Sequence, residues 1–374
     1  MNGRCDAVDA EGLFEPNKVQ REEASQTEHA TSKGGRGPRP IGGEVGEGLT
    51  HQKDASTQQH GIKPLVLHGV GWKGTLESML LPRYGMGAVR DAVLVAAGMG
   101  TRMFPSSAFL PKETLPLVDV PLLTHLVLEA KAAGITRLHV VVSPTKSFDG
   151  MFDDRRSLHS LRPHLDAELF HAAEGMEIHT HIQHEPKGVG NAIQAALDAV
   201  EGPFLVMLGD NLLMDDHAPT AAYRPSLASK HLIEAHGDRD AATVALMDVG
   251  RGEVHHYGIA GMQGDVVTKI VEKPSAEDAP SSLALCGRYV FPSDTKAILS
   301  SCTYELHGDL QSIALQERLM EQGRLFGEVL TGTQWYDSGA PLKWLQAQVD
   351  HALRRADLAP DFEAWLVQRL QDQR

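Results

Sequence analysis

A chain of 374 residues with 42% apolar side chains can bury a sizeable core, as two or three domains or as one large α/β unit with additions. Its 49 acidic against 35 basic residues leave a net charge of −14, which argues against a general binder of nucleic acid or of an anionic membrane. Three cysteines, Cys5, Cys286 and Cys302, show no metal or redox spacing. No stretch has the apolar length of a transmembrane helix and no signal-peptide core opens the chain, so a reducing cytoplasm is the expected setting.

Residues 1–60 are rich in Gly, Glu, Gln, Ser and Thr and carry Phe14 as their single aromatic. Such a composition cannot offset its ordering entropy by burial, and disorder is expected. Residues 62–84 are more apolar, with Trp72 and Leu80-Leu81, and could dock as a short helix. Residues 1–85 are thus either a low-complexity extension or a stretch ahead of a true start at Met86, and the working domain is expected over 86–374.

The apolar, β-branched run 93–97 predicts a buried strand, and Gly98-Met99-Gly100 follows it at once. A helix is expected over 121–133, with Pro at its start and Gly134 at its end, and a strand over 137–142. Strand, helix, strand makes a right-handed βαβ unit and a parallel sheet. Further along, 146–169 reads as a surface helix, 176–182 as a strand, 188–200 as a helix with a glycine-rich start, and 204–208 as an apolar strand ending in Gly209-Asp210. A helix over 219–235, a strand over 242–247, antiparallel strands within 257–271 and over 283–291, and helices over 310–321, 340–353 and 361–370 complete the reading. The fold expected is α/β: a Rossmann-like, mixed and mostly parallel sheet flanked by helices, with a small antiparallel part.

In such a sheet the carboxyl end of a strand is where ligands bind, and glycines let backbone N–H groups approach an anion. A dinucleotide fold would want Gly or Ala where Met103 stands, and no Gly-Lys-Ser/Thr phosphate loop is present. Arg102 and Lys112 add two cations to the same segment, which suits a polyphosphate. Taken singly, Gly-x-Gly could be a tight turn, the two cations solvated surface groups, and Asp210 a turn cap. His179 and His181 on one strand face and the adjacent His255-His256 lack a Cys or carboxylate at ligand spacing, and read as polar strand-face residues rather than as zinc ligands.

Taken together, Ala97-Gly98-Met99-Gly100-Thr101-Arg102, Pro105 and Pro111-Lys112 resemble the signature Ala-Gly-x-Gly-Thr-Arg-x-x-Pro, then Pro-Lys, of the sugar-1-phosphate nucleotidyltransferases. The likeness runs from about residue 92 to 351. It implies that Ala97, Gly98, Gly100 and Thr101 bind the nucleotide, that Arg102 contacts the departing end of the triphosphate, and that Lys112 neutralises charge near the reacting phosphates. It further implies Mg²⁺ held by Asp210 and Asp337. The base would be read by Gln183 and Gly188, with a donor and an acceptor of the glutamine amide facing the uracil edge. The sugar phosphate would be held by Gly258, Glu272, Lys273 and Gly287.

Within the family the likeness is greatest to the uridylyl branch, which implies UTP and glucose 1-phosphate as substrates. Four features depart from that branch: Asn191 stands where it usually has His, Gly209-Asp210-Asn211 is closer to the thymidylyl branch, Ala108 replaces a lysine, and Gly308-Asp309-Leu310-Gln311 keeps only part of a family motif. A dTTP-using enzyme and a non-catalytic nucleotide-sugar-binding subunit therefore remain alternatives. Small-molecule partners are expected, with no nucleic acid and no membrane, and a homo-oligomer is possible.

Overall fold

The computed structural model describes residues 88–148, 150–302 and 312–372. The expected disordered extension, the possible short helix within 62–84 and the first residues of the helix expected over 310–321 lie outside the described residues.

The first strand, β1 (Asp91–Val95), is buried along almost its whole length and ends two residues earlier than the apolar run suggests. Beyond it come a short helix α1 (Ser106–Phe109), a minimal hairpin of β2 (Pro116–Leu117) and β3 (Val120–Pro121), and helix α2 (Leu122–Ala132). Helix α2 is buried along nearly all of its length, its polar Thr124, His125 and Glu129 included. It stops at Gly134, whose φ of +86° suits a residue without a Cβ. Strand β4 (Arg137–Val142) has the expected bounds, and β5 (Glu177–Ile182) follows after a largely irregular stretch.

That stretch corrects the helix expected over 146–169. Among the described residues there, only α3 (Arg156–His159) and a 3-10 turn at Ala167–Phe170 are helical. Gly150 at φ +81°, the Asp153–Arg155 and Asp154–Arg156 side-chain pairs and Pro163 each favour turns over a continuous helix. The same cause shortens the helix expected over 219–235. Pro225 excludes it, and α5 (Ala228–His236) begins only after Ser226 accepts the Ala228 N–H.

Helix α4 (Gly188–Gln194) and strands β6 (Phe204–Leu208), β7 (Asn211–Met214) and β8 (Ala242–Asp248) lead to the hairpin β9 (Gly258–Gln263) and β10 (Val266–Glu272). The chain ends with β11 (Leu283–Phe291), α6 (Thr295–Ser300), α7 (Ser312–Glu321), β12 (Leu325–Val329), β13 (Gln334–Asp337), α8 (Pro341–Arg354) and α9 (Ala359–Gln371). Among the described residues one sheet carries nine strands, in the order β5-β4-β1-β6-β11-β8-β12-β10-β9. Its first four run parallel, while β11 is antiparallel to both neighbours. Strand β9 also pairs with the start of β11, so the antiparallel strands curl back on themselves at one side of the sheet.

Alternating side chains of β1 feed two cores. Ala92 and Leu94 pack with α2 and α5 on one face, and Val93 packs with α4 and α7 on the other. Helices therefore cover both faces, and the carboxyl edge of the parallel strands is the part left open for chemistry.

Asp91 anchors the opposite end of β1. Its fully buried carboxylate accepts from Arg137 at 2.6 and 2.7 Å and from the Glu201 N–H at 3.0 Å, with His139 Nε2 at 3.2 Å. Burial raises a carboxyl pKa, but His139 and Arg137 outweigh it and hold Asp91 at about 2, against an ordinary 3.8. A folded-state pKa below the unfolded one stabilises the fold above the unfolded value, and that contribution is lost as pH falls toward 2. The difference amounts to about 2 kcal/mol. Asp91→Asn is expected to cost roughly that much at pH 7, measured by urea unfolding. The gap between the two proteins should shrink by pH 2.5; a gap of constant size would show that the charge is not its cause.

Candidate active site

Because β1, β4 and β6 are parallel, the loops that leave their carboxyl ends meet at one edge. They enclose a cleft of about 490 Å³ whose walls include Ala97, Gly98, Lys112, Gln183, Gly188 and Asp210. Six of the residues singled out in the sequence thus face one space. Around Gly98 an added Cβ would meet nothing within 4 Å, so the loop is open to the cleft there.

Gly100 is fixed by two constraints. It adopts φ +65°, and a Cβ would stand 3.2 Å from Lys112 Cδ and 3.3 Å from Ser107 Cβ. Ser107 Oγ donates to the Gly100 carbonyl at 2.6 Å and holds the turn. The following 3-10 turn, Thr101–Met103, buries Met103 and leaves Thr101 and Arg102 exposed. Gly209 has no such backbone need. A Cβ there would lie 2.9 Å from the Val95 carbonyl, so glycine is what lets β6 pass β1 closely enough to deliver Asp210.

Lys112 is 7% exposed, and its ammonium donates to Asp210 Oδ2 at 2.6 Å. This excludes the reading of Lys112 as a solvated surface cation. Asp210 Oδ1 accepts from Asn211 Nδ2 at 2.9 Å, and Asn211 Oδ1 in turn accepts from Trp335 Nε1 at 2.6 Å. Strands β7 and β13 pair with Asn211 opposite Asp337, and the Ser338 N–H donates to the Asp210 carbonyl at 2.9 Å, so the segments that carry the two predicted metal carboxylates run side by side. Asp337 Oδ1 accepts from the Gly339 N–H at 2.6 Å, and Arg102 lies against that same turn, since a Cβ on Gly339 would be 2.7 Å from Arg102 Nη2.

Gln183 follows β5 directly and is 9% exposed. Its amide nitrogen donates to the Gly188 carbonyl at 3.0 Å and to Asn191 Oδ1 at 2.9 Å. The expectation that both its donor and its acceptor face a base is amended accordingly: the donor is engaged, and the carbonyl oxygen is the atom left for a base. Asn191 has a function visible only here, that of fixing the glutamine amide.

The residues predicted for the sugar phosphate do not line this cleft. Glu272 and Gly258 pair across the β9–β10 ladder, and Glu272 stands so close over Gly258 that an added Cβ would be 3.0 Å from its carboxylate. Lys273 pairs with Glu272 at 3.1 Å and adopts φ +46°, a conformation that costs a non-glycine residue on the order of 1 kcal/mol and that clusters at functional sites. Gly287, at φ +77°, marks the point where β11 shifts register against β8, and it presses on Asn211. A second cavity of about 350 Å³ lies between Asp337, Trp335 and Tyr257, whose rings are 4.7 Å apart at their centroids.

Two functional candidates escaped the sequence reading. Lys146, in the loop after β4, and Glu113, beside Lys112, form a buried ion pair at 2.9 Å. Burial pushes the Glu113 carboxyl above its ordinary range and the Lys146 ammonium below its own, each restrained by the other's charge. Lys146 had a signal, since it follows a parallel strand by four residues, the same criterion that singles out Gly98 and Asp210.

Comparison with known proteins agrees with this architecture. The sequence model of the Nucleotidyl transferase family matches residues 91–352. UTP--glucose-1-phosphate uridylyltransferase 1 of Streptococcus pyogenes serotype M1 is 32% identical over 294 residues, covering 75% of this chain and 95% of that protein. A UTP-bound UGPase from Acinetobacter baumannii superposes with a TM-score of 0.63 at 27% identity, over 75% of this chain and 99% of its own. A UDP-glucose pyrophosphorylase complexed with UDP-glucose gives 0.60 at 27% identity, over 70% and 98%.

Proposed function

Because the chain belongs to the nucleotidyl transferase family, we propose that it transfers the uridylyl group of UTP to glucose 1-phosphate, yielding UDP-glucose and pyrophosphate. The observation that carries this reading is the single cleft in which the glycine loop, the Lys112–Asp210 pair and the Gln183 amide meet. The whole of it lies within residues 86–374, the proposed catalytic domain.

The phosphate of the sugar attacks the α-phosphorus of UTP; a P–O bond forms there, and the bond to the β-phosphate oxygen breaks. A phosphate monoester has its second pKa at about 6, so the nucleophile is already mostly dianionic at neutral pH and needs no general base. The barrier comes from the approach of two anions and from charge growing on pyrophosphate, so the protein contributes position and positive charge. Lys112 supplies that charge from a nearly buried position, and Arg102 supplies it from the exposed turn beside Gly339. Gln183, held by Asn191, offers its carbonyl oxygen to the N–H of the uracil edge.

Asp210 and Asp337 fit a hard divalent cation such as Mg²⁺. Both are carboxylates, Asp210 in the turn just before β7 and Asp337 at the end of the neighbouring β13, and carboxylate oxygens accept more than one partner. Among the described residues no group of three or more His, Cys, Asp or Glu is arranged around a metal position, so the ion would complete its shell with water and substrate phosphates. When bound it would neutralise phosphate charge.

Pyrophosphate release with glucose 1-phosphate and Mg²⁺ tests the reading, and kcat/KM is expected to favour UTP over dTTP. The uracil and thymine edges are alike at the N–H that Gln183 can reach, so the preference must come from the ribose hydroxyl or the ring methyl. A site built for a hydroxyl rejects its absence far more strongly than the ~1 to 3 kcal/mol that a methyl provides, so dUTP should also be poor. If dTTP matches or exceeds UTP, the thymidylyl reading suggested by Asn211 takes over. No turnover with any triphosphate would favour a binding subunit.

A further inference from the structure

We propose that Lys146 is a positioning residue that turns the glycine loop's amides toward the triphosphate, which rests on the reading of the cleft above. Its ammonium donates to the Gly98 carbonyl at 2.5 Å, to the Ala96 carbonyl at 3.0 Å, and to both Glu113 oxygens at 3.1 and 2.9 Å. Three donors thus meet three segments: the end of β1, the glycine loop and the turn that carries Lys112. The side chain is 8% exposed and Glu113 is 1% exposed, so the ion pair is shielded from water, while the Gly98 carbonyl is reached at the exposed end of the clamp.

A peptide unit is planar and trans, with its C=O and its N–H pointing in opposite directions. An ammonium that gathers the carbonyls of Ala96 and Gly98 therefore sends the N–H groups of Ala97 and Met99 the other way. Ala97, Gly98 and Met99 line the large cleft, whereas Lys146 does not; it lines the neighbouring cavity beside Phe148 and Phe152. Lys146 thus works from behind the loop. The effect is an anion-binding concavity made of backbone amides, set by a cation that the substrate does not touch.

Glu113 makes this possible. Without a carboxylate beside it, a buried ammonium would be driven toward its neutral form and would hold the carbonyls more weakly. Glu113 also directly follows Lys112, so the same clamp fixes the turn from which Lys112 reaches Asp210.

The test is Lys146→Met, which keeps length and removes the donors, read by calorimetric titration with UTP and with pyrophosphate, by the separate KM values for UTP and glucose 1-phosphate, and by thermal melting. Affinity for UTP and for pyrophosphate should fall at least about tenfold, the scale of losing hydrogen bonds to a charged group. KM for glucose 1-phosphate should change by less than about threefold. Lys146→Arg keeps the charge but replaces a compact tripod by a planar fork. It should melt close to the wild type and still lose at least about threefold in UTP affinity, which keeps the question answerable if Lys146→Met does not fold. UTP affinity within twofold of the wild type in either folded variant, or equal losses for UTP and glucose 1-phosphate, would overturn the proposal. The titrations need no turnover, so an absence of UDP-glucose formation in the wild type would defeat the functional reading and leave Lys146 to be judged on binding alone.

Discussion

Lys112→Ala is expected to lower turnover by about a hundredfold or more while leaving most of the fold in place, the usual effect of removing one preorganised electrostatic group from a transition state. The expectation follows from position rather than from residue type. An exposed lysine contributes little because water screens it, but the Lys112 side chain is 8% exposed and its ammonium rests 2.6 Å from Asp210. Its removal acts twice: the cleft loses a fixed cation, and Asp210 loses the partner that sets its orientation. Turnover measured by pyrophosphate release, beside a melting curve, separates the two levels of effect. Activity within threefold of the wild type in a folded protein would show that Lys112 is a tether for Asp210 and nothing more.

The same contrast between position and type explains what could be read in the sequence. The strands β1, β4 and β6 were legible because each is a short apolar run buried on both faces, and α2 because Pro121 and Gly134 bracket an apolar helical stretch. The glycine loop and Asp210 were legible because each follows such a strand, and Lys112 because it lies in the loop that β1 delivers; Gln183 follows the largely exposed edge strand β5 and was legible through the family resemblance alone. Strands β7, β12 and β13 were not, since Gln334-Trp-Tyr-Asp337 has no alternation to speak of and is a strand only because Asn211–Met214 offers it a partner. Side chains whose meaning lies in a meeting of distant segments stayed silent for the same reason. Asn191 matters through Gln183, Trp335 through Asn211, and Lys146 through two carbonyls about fifty residues before it.

The largest effect on stability is expected at Glu129 and Arg288. Arg288 donates from Nε to Glu129 Oε1 at 2.9 Å and from Nη2 to Oε2 at 2.8 Å, and neither side chain has any exposure. Removing one partner leaves a charge buried and unpaired, so Glu129→Ala should cost about 3 to 5 kcal/mol in urea unfolding. Replacing both by apolar residues of similar size, Glu129→Leu with Arg288→Met, should recover most of that loss, because the pair's attraction largely offsets the cost of desolvating it. Activity should not recover with stability. Arg288 Nη2 also donates to the Asn211 carbonyl at 2.9 Å, one residue from Asp210, and no apolar side chain can replace that bond. The double variant is therefore expected to be folded and stable but slower than the wild type. A single substitution costing less than about 1 kcal/mol, the scale of an exposed pair, would refute the buried-pair account. A double variant that turned over at the wild-type rate would cut the proposed link from Arg288 through Asn211 to the carboxylate of Asp210.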